Sequence, residues 1–171
     1  MYIPFEEMPA TARVWIYQAN RPLSEAEEAQ ARQLGQIFTK QWAAHGNALR
    51  SSVQIFHQYF LVIAVDEQHN AASGCSIDSS VAFVRELEHK FSTGHSPINF
   101  FDRTQVAFWQ DNEVQLLPMN QAKQAAKAGQ IQPDTITFDN TVPTVEALKS
   151  RWTIPVQNSW LARYLSSAVK A

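Results

Sequence analysis

The sequence has little of several residue types, and each shortage excludes a class of protein. One residue in 171 is a cysteine, which excludes an internal disulfide and the paired cysteines of a structural zinc site. Charged residues make up 18% and the formal net charge is -2, so the chain lacks the basic excess of nucleic-acid-binding proteins. The longest apolar run, residues 59–65, is too short to cross a bilayer. We therefore expect no nucleic-acid partner and no membrane insertion.

What the sequence does contain is typical of a folded domain. Hydrophobic residues make up 45%, and there are 5 Trp, 10 Phe and 4 Tyr residues, which excludes intrinsic disorder and supplies a sizeable core. The length suits a single domain over residues 1–171, and no low-complexity linker or internal repeat divides it. The first residues are acidic and interrupted by Pro4, unlike a signal peptide, so we expect a cytoplasmic protein.

Hydrophobic periodicity predicts alternating strands and helices over residues 12–110. Ser24, three residues before Glu27, is a capping-box pattern that begins a helix, and Gly46 is the expected end of that helix. Ser76 or Asp78 is the expected cap of a second helix. The predicted strands cover 12–18, 52–56, 59–65 and 105–109, and the predicted helices cover 24–45 and 77–91.

This β-α-β-β-α-β order is that of the ferredoxin-like split βαβ fold. We therefore predict an α+β protein with an antiparallel sheet of five or more strands and two long helices on one face. Residues 111–171 are expected to extend this core. Their predicted elements are a hairpin turning at Asp111-Asn112, a helix from Pro118 to Gly129, a strand over 135–138, and short helices over 144–150 and from Ser159 to about Ala168.

Six stretches of the chain resemble a family of short, soluble bacterial proteins found mainly in the Bacteroidetes. They are MPATARVWIYQANR, FLVIAVDE, ASGCSIDSSVAFVRELE, FFDRTQVAFW, IQPDTITFDNTVPT and SWLARYL. Members of this family often carry the label "ABC transporter ATPase". A phosphate-binding loop needs G-x-x-x-x-G-K-[ST], whereas none of the five glycines precedes a lysine, and there is no G-x-G-x-x-G. The sequence therefore gives that label no support, and we expect no nucleotide cofactor.

A second resemblance covers Glu113 to Phe138. A hairpin, a helix that begins with Pro118, and the run GQIQPDTITF together resemble bacterial GYF-like modules. Such modules are small binding or scaffolding units. The Trp-rich ending of those modules is present only in part, as Trp152 and Trp160.

Ser73-Gly74-Cys75-Ser76 is the most distinctive local feature. A turn just before a helix can bind a ligand at Ser73 to Ser76, with an anion on the free amides of Gly74, Cys75 and Ser76, or it can lower the pKa of the Cys75 thiol. The predicted topology brings Cys75 near His69 and near His45, so a Cys-His pair is one hypothesis. The alternative is a purely structural turn with Ser76 as the helix cap.

Two further candidate sites lie elsewhere in the predicted fold. Asp102 and Arg103 follow two phenylalanines at the opposite end of the sheet from Cys75, where they either act as a pair or brace the start of a strand. Trp109, Trp152 and Trp160 either line a peptide groove or belong to the core. The histidine spacings fit no zinc or iron site, and no carboxylate pair recommends acid–base chemistry. The leading hypothesis is a non-enzymatic protein that binds a protein or peptide. The alternative is a small enzyme or a ligand-binding protein at Cys75.

Overall fold

The structure, a computed structural model, describes residues 1–92 and 96–166. It is an α+β protein, as predicted. The helices are α1 (Glu25–Gln41), α2 (Gly74–Phe91), α3 (Met119–Lys127) and α4 (Val145–Arg151). The strands are β1 (Arg13–Gln18), β2 (Ala43–Ala44), β3 (Asn47–Ala48), β4 (Arg50–Phe56), β5 (Phe60–Asp66), β6 (Gln105–Gln110), β7 (Glu113–Pro118), β8 (Ile136–Phe138) and β9 (Thr153–Pro155). Helices of the 3-10 type cover Phe5–Glu7, Val156–Asn158 and Trp160–Tyr164.

The first sheet has the antiparallel order β1-β5-β4. Its central strand, β5, is buried along its whole length, which explains the near-continuous apolar run of this segment. Leu61, Ile63 and Val65 belong to one hydrophobic cluster together with residues of α1 and α2. Both long helices therefore pack on the same face of this sheet, as predicted.

The second sheet has the order β7-β6-β8-β9 and covers the other face of the first. Phe60, Val62 and Ala64 of β5 share a cluster with Ala107, Val114 and the residues around Trp152. The far side of the second sheet packs against α3 and the C-terminal 3-10 helices. The resulting layers are helices, sheet, sheet, and helices again. Among the helices described, none has both the length and the apolar character needed to cross a membrane.

The ferredoxin-like arrangement is not confirmed. In a split βαβ sheet the strand after the second helix pairs with the first strand. Here that strand, β6, lies between β7 and β8 in the second sheet. The predicted single sheet of five or more strands is therefore wrong. A three-stranded and a four-stranded sheet pack on each other, because β6 pairs with its hairpin partner β7 and with β8, and β2 and β3 form a separate hairpin.

Several predicted element ends move by a few residues. The helix α1 begins with the predicted capping box, in which Ser24 Oγ accepts from the Glu27 amide at 3.2 Å, but it ends at Gln41. Gly46, expected to end it, instead turns the β2–β3 hairpin with a φ of +80°. The predicted hairpin turn at Asp111-Asn112 is confirmed, with φ values of 52° and 62°. The last helix, expected from Ser159 to about Ala168, is capped by Ser159 but is a 3-10 helix that ends at Tyr164, because Leu165 is extended.

Candidate functional site

Cys75 lies inside a helix rather than in a turn before it. The N-cap of α2 is Ser73, whose Oγ accepts from the Ser76 amide at 3.3 Å, while Ser76 Oγ accepts from the Ser73 amide at 2.8 Å. The predicted caps Ser76 and Asp78 are therefore wrong, because a reciprocal capping box starts the helix three residues earlier. Cys75 is the second helical residue and is exposed. The capping box therefore uses the amide of Ser76, one of the candidate anion ligands.

This geometry predicts a measurable loss of stability for one substitution and almost none for its neighbour. Ser73→Ala removes the cap and should lower the free energy of unfolding by about 1 kcal/mol. Cys75→Ala changes an exposed side chain and should alter that free energy by less than about 0.5 kcal/mol. Equilibrium urea denaturation followed by circular dichroism measures both. A larger loss for Cys75→Ala than for Ser73→Ala would contradict the capping assignment.

The proposed histidine partners lie in the loops near Cys75 without a described contact to it. Asn70 Nδ2 donates to the carbonyls of Ala44 and Asn47, at 3.4 and 3.1 Å, so the loop of His69 and the hairpin of His45 adjoin as predicted. Over residues 1–92 and 96–166, the hydrogen bonds include none between Cys75 Sγ and either imidazole. The structure thus brings these residues to one end of the fold but forms no Cys-His pair there.

The three candidate tryptophans do not share one surface. Trp152 is 5% exposed and packs in the core between the sheets. Trp109 is half-buried, and its ring centre lies 4.6 Å from that of His57. The His57 ring in turn stacks on Trp152, with 5.7 Å between the ring centres. Trp160 is 41% exposed and packs against Tyr164 instead. The prediction of a single groove lined by all three is therefore wrong, because Trp152 packs in the core and the other two lie on different surfaces.

A groove of about 910 Å³ lies between the open edge of β1 and the second sheet. Its walls come from distant parts of the chain, and Trp160 lies at its rim. The segments that line it are residues 13–18, 100–103, 105–107, 138–143 and 158–160, with Val81, Met119 and Ile154. It therefore contains two of the candidate sites, Trp160 and the pair Asp102 and Arg103.

The edge of β1 presents main-chain groups to this groove. The amide of Val14 donates to the carbonyl of Pro143 at 2.9 Å, and the amide of Val145 donates to the carbonyl of Ala12 at 2.9 Å. Successive residues of a strand direct their main-chain groups to opposite sides, so Ile16 and Gln18 face the same way as Val14, away from β5. In the part of the chain that the structure describes, no group pairs with the amide or carbonyl of Ile16.

A chain of side-chain hydrogen bonds closes the groove at the end of β1. Gln18 Nε2 donates to the Gln105 carbonyl at 3.2 Å, and its Oε1 accepts from Asn140 Nδ2 at 3.0 Å. Asn140 Oδ1 in turn accepts from the indole of Trp152 at 2.9 Å. These side-chain amides connect the end of β1 with β6 and with residue 140, so they form the end wall of the groove.

The wall on the helix side of the groove is aromatic. The rings of Tyr17 and Phe101 meet edge to face at 5.4 Å, and the guanidinium of Arg85 lies 3.7 Å from the Phe101 ring centre. Burial raises the pKa of Tyr17, opposed by its hydrogen bond with Ser80 and by the charge of Arg103, so its phenol stays neutral at physiological pH. This wall therefore offers a ligand the apolar surface of the two rings and the hydroxyl group of Tyr17.

Asp102 and Arg103 have separate roles at the groove. Asp102 Oδ1 accepts from the amide and the hydroxyl of Thr104, at 2.8 and 2.6 Å, and so braces the start of β6. Arg103 lines the groove near Tyr17. Asp102 therefore braces the start of a strand, one of the two roles expected for this pair. Arg103 is a candidate contact for a ligand.

The residues at the centre of the groove were missed by the sequence analysis. Ile16, Gln18 and Asn140 carry no motif, and they come together only because β1 is an edge strand beside residues 138–143. The single signal in the sequence was the alternation over 12–18, which has apolar and aromatic residues on both faces and so indicated a strand covered on both sides.

The described residues contain no candidate metal site, and no known relative indicates the position of a site. Over the described ranges, no cluster of three or more His, Cys, Asp or Glu side chains has the geometry of a metal site. No protein-family model, no curated protein and no solved structure matches this chain.

Proposed function

We propose that this protein is a non-enzymatic binding protein that holds a peptide segment of a partner protein in the groove beside β1. The observation that supports the proposal most is the groove itself. It has a volume of about 910 Å³, aromatic and aliphatic walls, and an exposed tryptophan at its rim. The volume lies within the range of ligand sites in proteins, and polar and apolar groups contribute to the walls in similar amounts.

The rim of the groove has the composition of an interface. Trp160, with 41% of its surface exposed, is one of three large hydrophobic residues that are exposed in the described chain, and it adjoins Tyr164 and Lys123. Tryptophan, tyrosine and arginine carry a large share of binding energy in protein interfaces. Arg103 adds a cation to the lining of the groove. These groups suit a peptide better than a small metabolite, which a more enclosed pocket would hold.

The fold supports the same assignment. The order β1-β5-β4, with α1 and α2 on one face, is the order of three of the four strands in a split βαβ sheet. We infer that residues 12–110 are related to that fold, with β6 displaced into the second sheet. The displacement leaves β1 at an edge and so creates one wall of the groove.

The proposal is tested by peptide selection followed by two matched substitutions. A phage library of random heptapeptides is selected on the full-length protein, and the enriched peptides are synthesised. We expect Trp160→Ala to weaken their binding about tenfold, a loss of about 1.4 kcal/mol that only a minority of interface residues reach, in fluorescence anisotropy titrations. Ile37→Ala is the control, because Ile37 is 48% exposed on α1 and lies outside the groove.

Two results would overturn this proposal. One is the absence of any enriched peptide. The other is a set of enriched peptides whose binding is weakened by Ile37→Ala as much as by Trp160→Ala.

A further inference from the structure

We infer that the peptide binds as an added β-strand on the free edge of β1, pairing with Ile16 and Gln18. This inference rests on the proposed function, and it specifies the mode of binding and the chemistry of the partner. The partner is an extended segment with apolar side chains at alternate positions.

The first argument is the pattern of main-chain groups on this edge. The carbonyl of Val14, both main-chain groups of Ile16 and the amide of Gln18 point away from β5 into the groove. Their donors and acceptors alternate at the spacing of a strand, and the complement to that pattern is another extended polypeptide backbone. An amphipathic helix, which pairs its own main-chain groups, would leave them unmatched.

The second argument is continuity with pairing that exists on the same edge. Residues Pro143 to Val145 already pair with Ala12 to Val14 through two hydrogen bonds of 2.9 Å. The chain that precedes them turns away from the edge, and Asn140 reaches only the side chain of Gln18. A bound strand would continue this short ladder along the rest of β1, in the position that the fourth strand of a split βαβ sheet takes beside the first.

The third argument is the character of the two sides of the groove. Successive side chains of an added strand point to opposite faces of the sheet. On the helix side they would meet Tyr17 and Phe101, and on the side of the second sheet they would meet Ala107 and Phe138. Each side thus offers apolar contacts among polar groups, which favours a peptide with some aliphatic or aromatic residues on both faces.

The test uses the peptides selected on the wild-type protein and two proline variants. Ile16→Pro removes the free amide and places a ring in the path of an added strand, while the bonds from β1 to β5 remain, because proline is tolerated on an edge strand where the amide is unpaired. Leu116→Pro is the matched control: Leu116 is also half-buried, on the free edge of β7. We expect Ile16→Pro to weaken binding about tenfold or more, and Leu116→Pro to leave it within about twofold.

Methylation of the peptide backbone gives a readout that does not depend on how the variants fold. Each amide of the strongest peptide is N-methylated in turn, and binding to the wild-type protein is measured. Strand addition predicts that methylation at every second position of the central segment weakens binding and that methylation at the positions between has little effect, because only alternate amides face β1.

The outcomes separate this inference from the proposed function. Peptides that need Trp160 but bind Ile16→Pro normally and show no alternation on methylation would overturn strand addition and leave the groove as the binding site. Peptides that are indifferent to both Trp160→Ala and Ile16→Pro would overturn both. A wild-type protein that is dimeric without peptide, and becomes monomeric as Ile16→Pro, would show that a second copy of this chain occupies the edge, which also contradicts the inference.

Discussion

Replacing Trp152 with alanine should lower the free energy of unfolding by about 3–5 kcal/mol, a large share of the stability of a small domain. The indole is 5% exposed and makes edge contacts with Phe60 at 4.9 Å and with Phe138 at 5.1 Å. Its removal leaves a cavity between the two sheets, and it also leaves Asn140 Oδ1 without the indole donor at 2.9 Å. Both effects act in the same direction.

Trp160→Ala is the matched control for Trp152→Ala, because it removes the same side chain from an exposed position. We expect it to change the free energy of unfolding by less than about 1 kcal/mol, although it weakens peptide binding. Guanidinium denaturation followed by far-ultraviolet circular dichroism measures both variants without relying on tryptophan emission. Similar losses in the two variants would contradict the assignment of Trp152 to the core and Trp160 to the groove.

The second large effect concerns Gly35, where α1 crosses β4. A Cβ atom at this position would lie 2.7 Å from Val53 Cβ and 2.9 Å from Val53 Cγ1, too close for either side chain. Alanine favours helices over glycine by about 1 kcal/mol, but the helix would have to move away from the strand to admit the methyl group. We expect Gly35→Ala to destabilise the protein by about 1–3 kcal/mol in total.

The same substitution should have the opposite sign at Gly74, the first residue of α2. A Cβ atom there meets nothing within 4 Å, and the backbone is helical. Gly74→Ala should therefore leave stability unchanged or raise it by up to about 1 kcal/mol. The comparison is made by thermal and urea denaturation of the two variants side by side. A loss of stability for Gly74→Ala, or a gain for Gly35→Ala, would contradict the packing of these helices.

Local structure could largely be predicted from the sequence, because its signals lie within a few residues of one another. The Ser24 and Glu27 capping box and the Asp111-Asn112 turn are confirmed. The turn between β4 and β5 was harder to predict, since His57 and Gln58 adopt φ values of 52° and 63° without a glycine. Their conformation follows from the register of the flanking strands rather than from their own preference.

The arrangement of the strands could not be predicted, because it depends on pairings that local pattern does not encode. The element order suggested that β6 lies beside β1, but β6 has its hairpin partner β7 on one side and β8 on the other. Predicting that result would require knowing how Ala107 and Val114 pack on Phe60 and Val62 across the two sheets. The groove follows from the same choice, so Trp160, Asp102 and Arg103 were candidates but the groove that joins them with Ile16 and Asn140 was not predicted.

The measurement that tests the central claim most directly is amide hydrogen exchange of β1 with and without a selected peptide. If the peptide adds a strand, exchange of the Ile16 and Gln18 amides should slow about tenfold or more on binding, while the free-edge amide of Leu116 on β7 keeps its rate. Unchanged exchange at Ile16 and Gln18 under saturating peptide would contradict the claim that the edge of β1 is the binding surface.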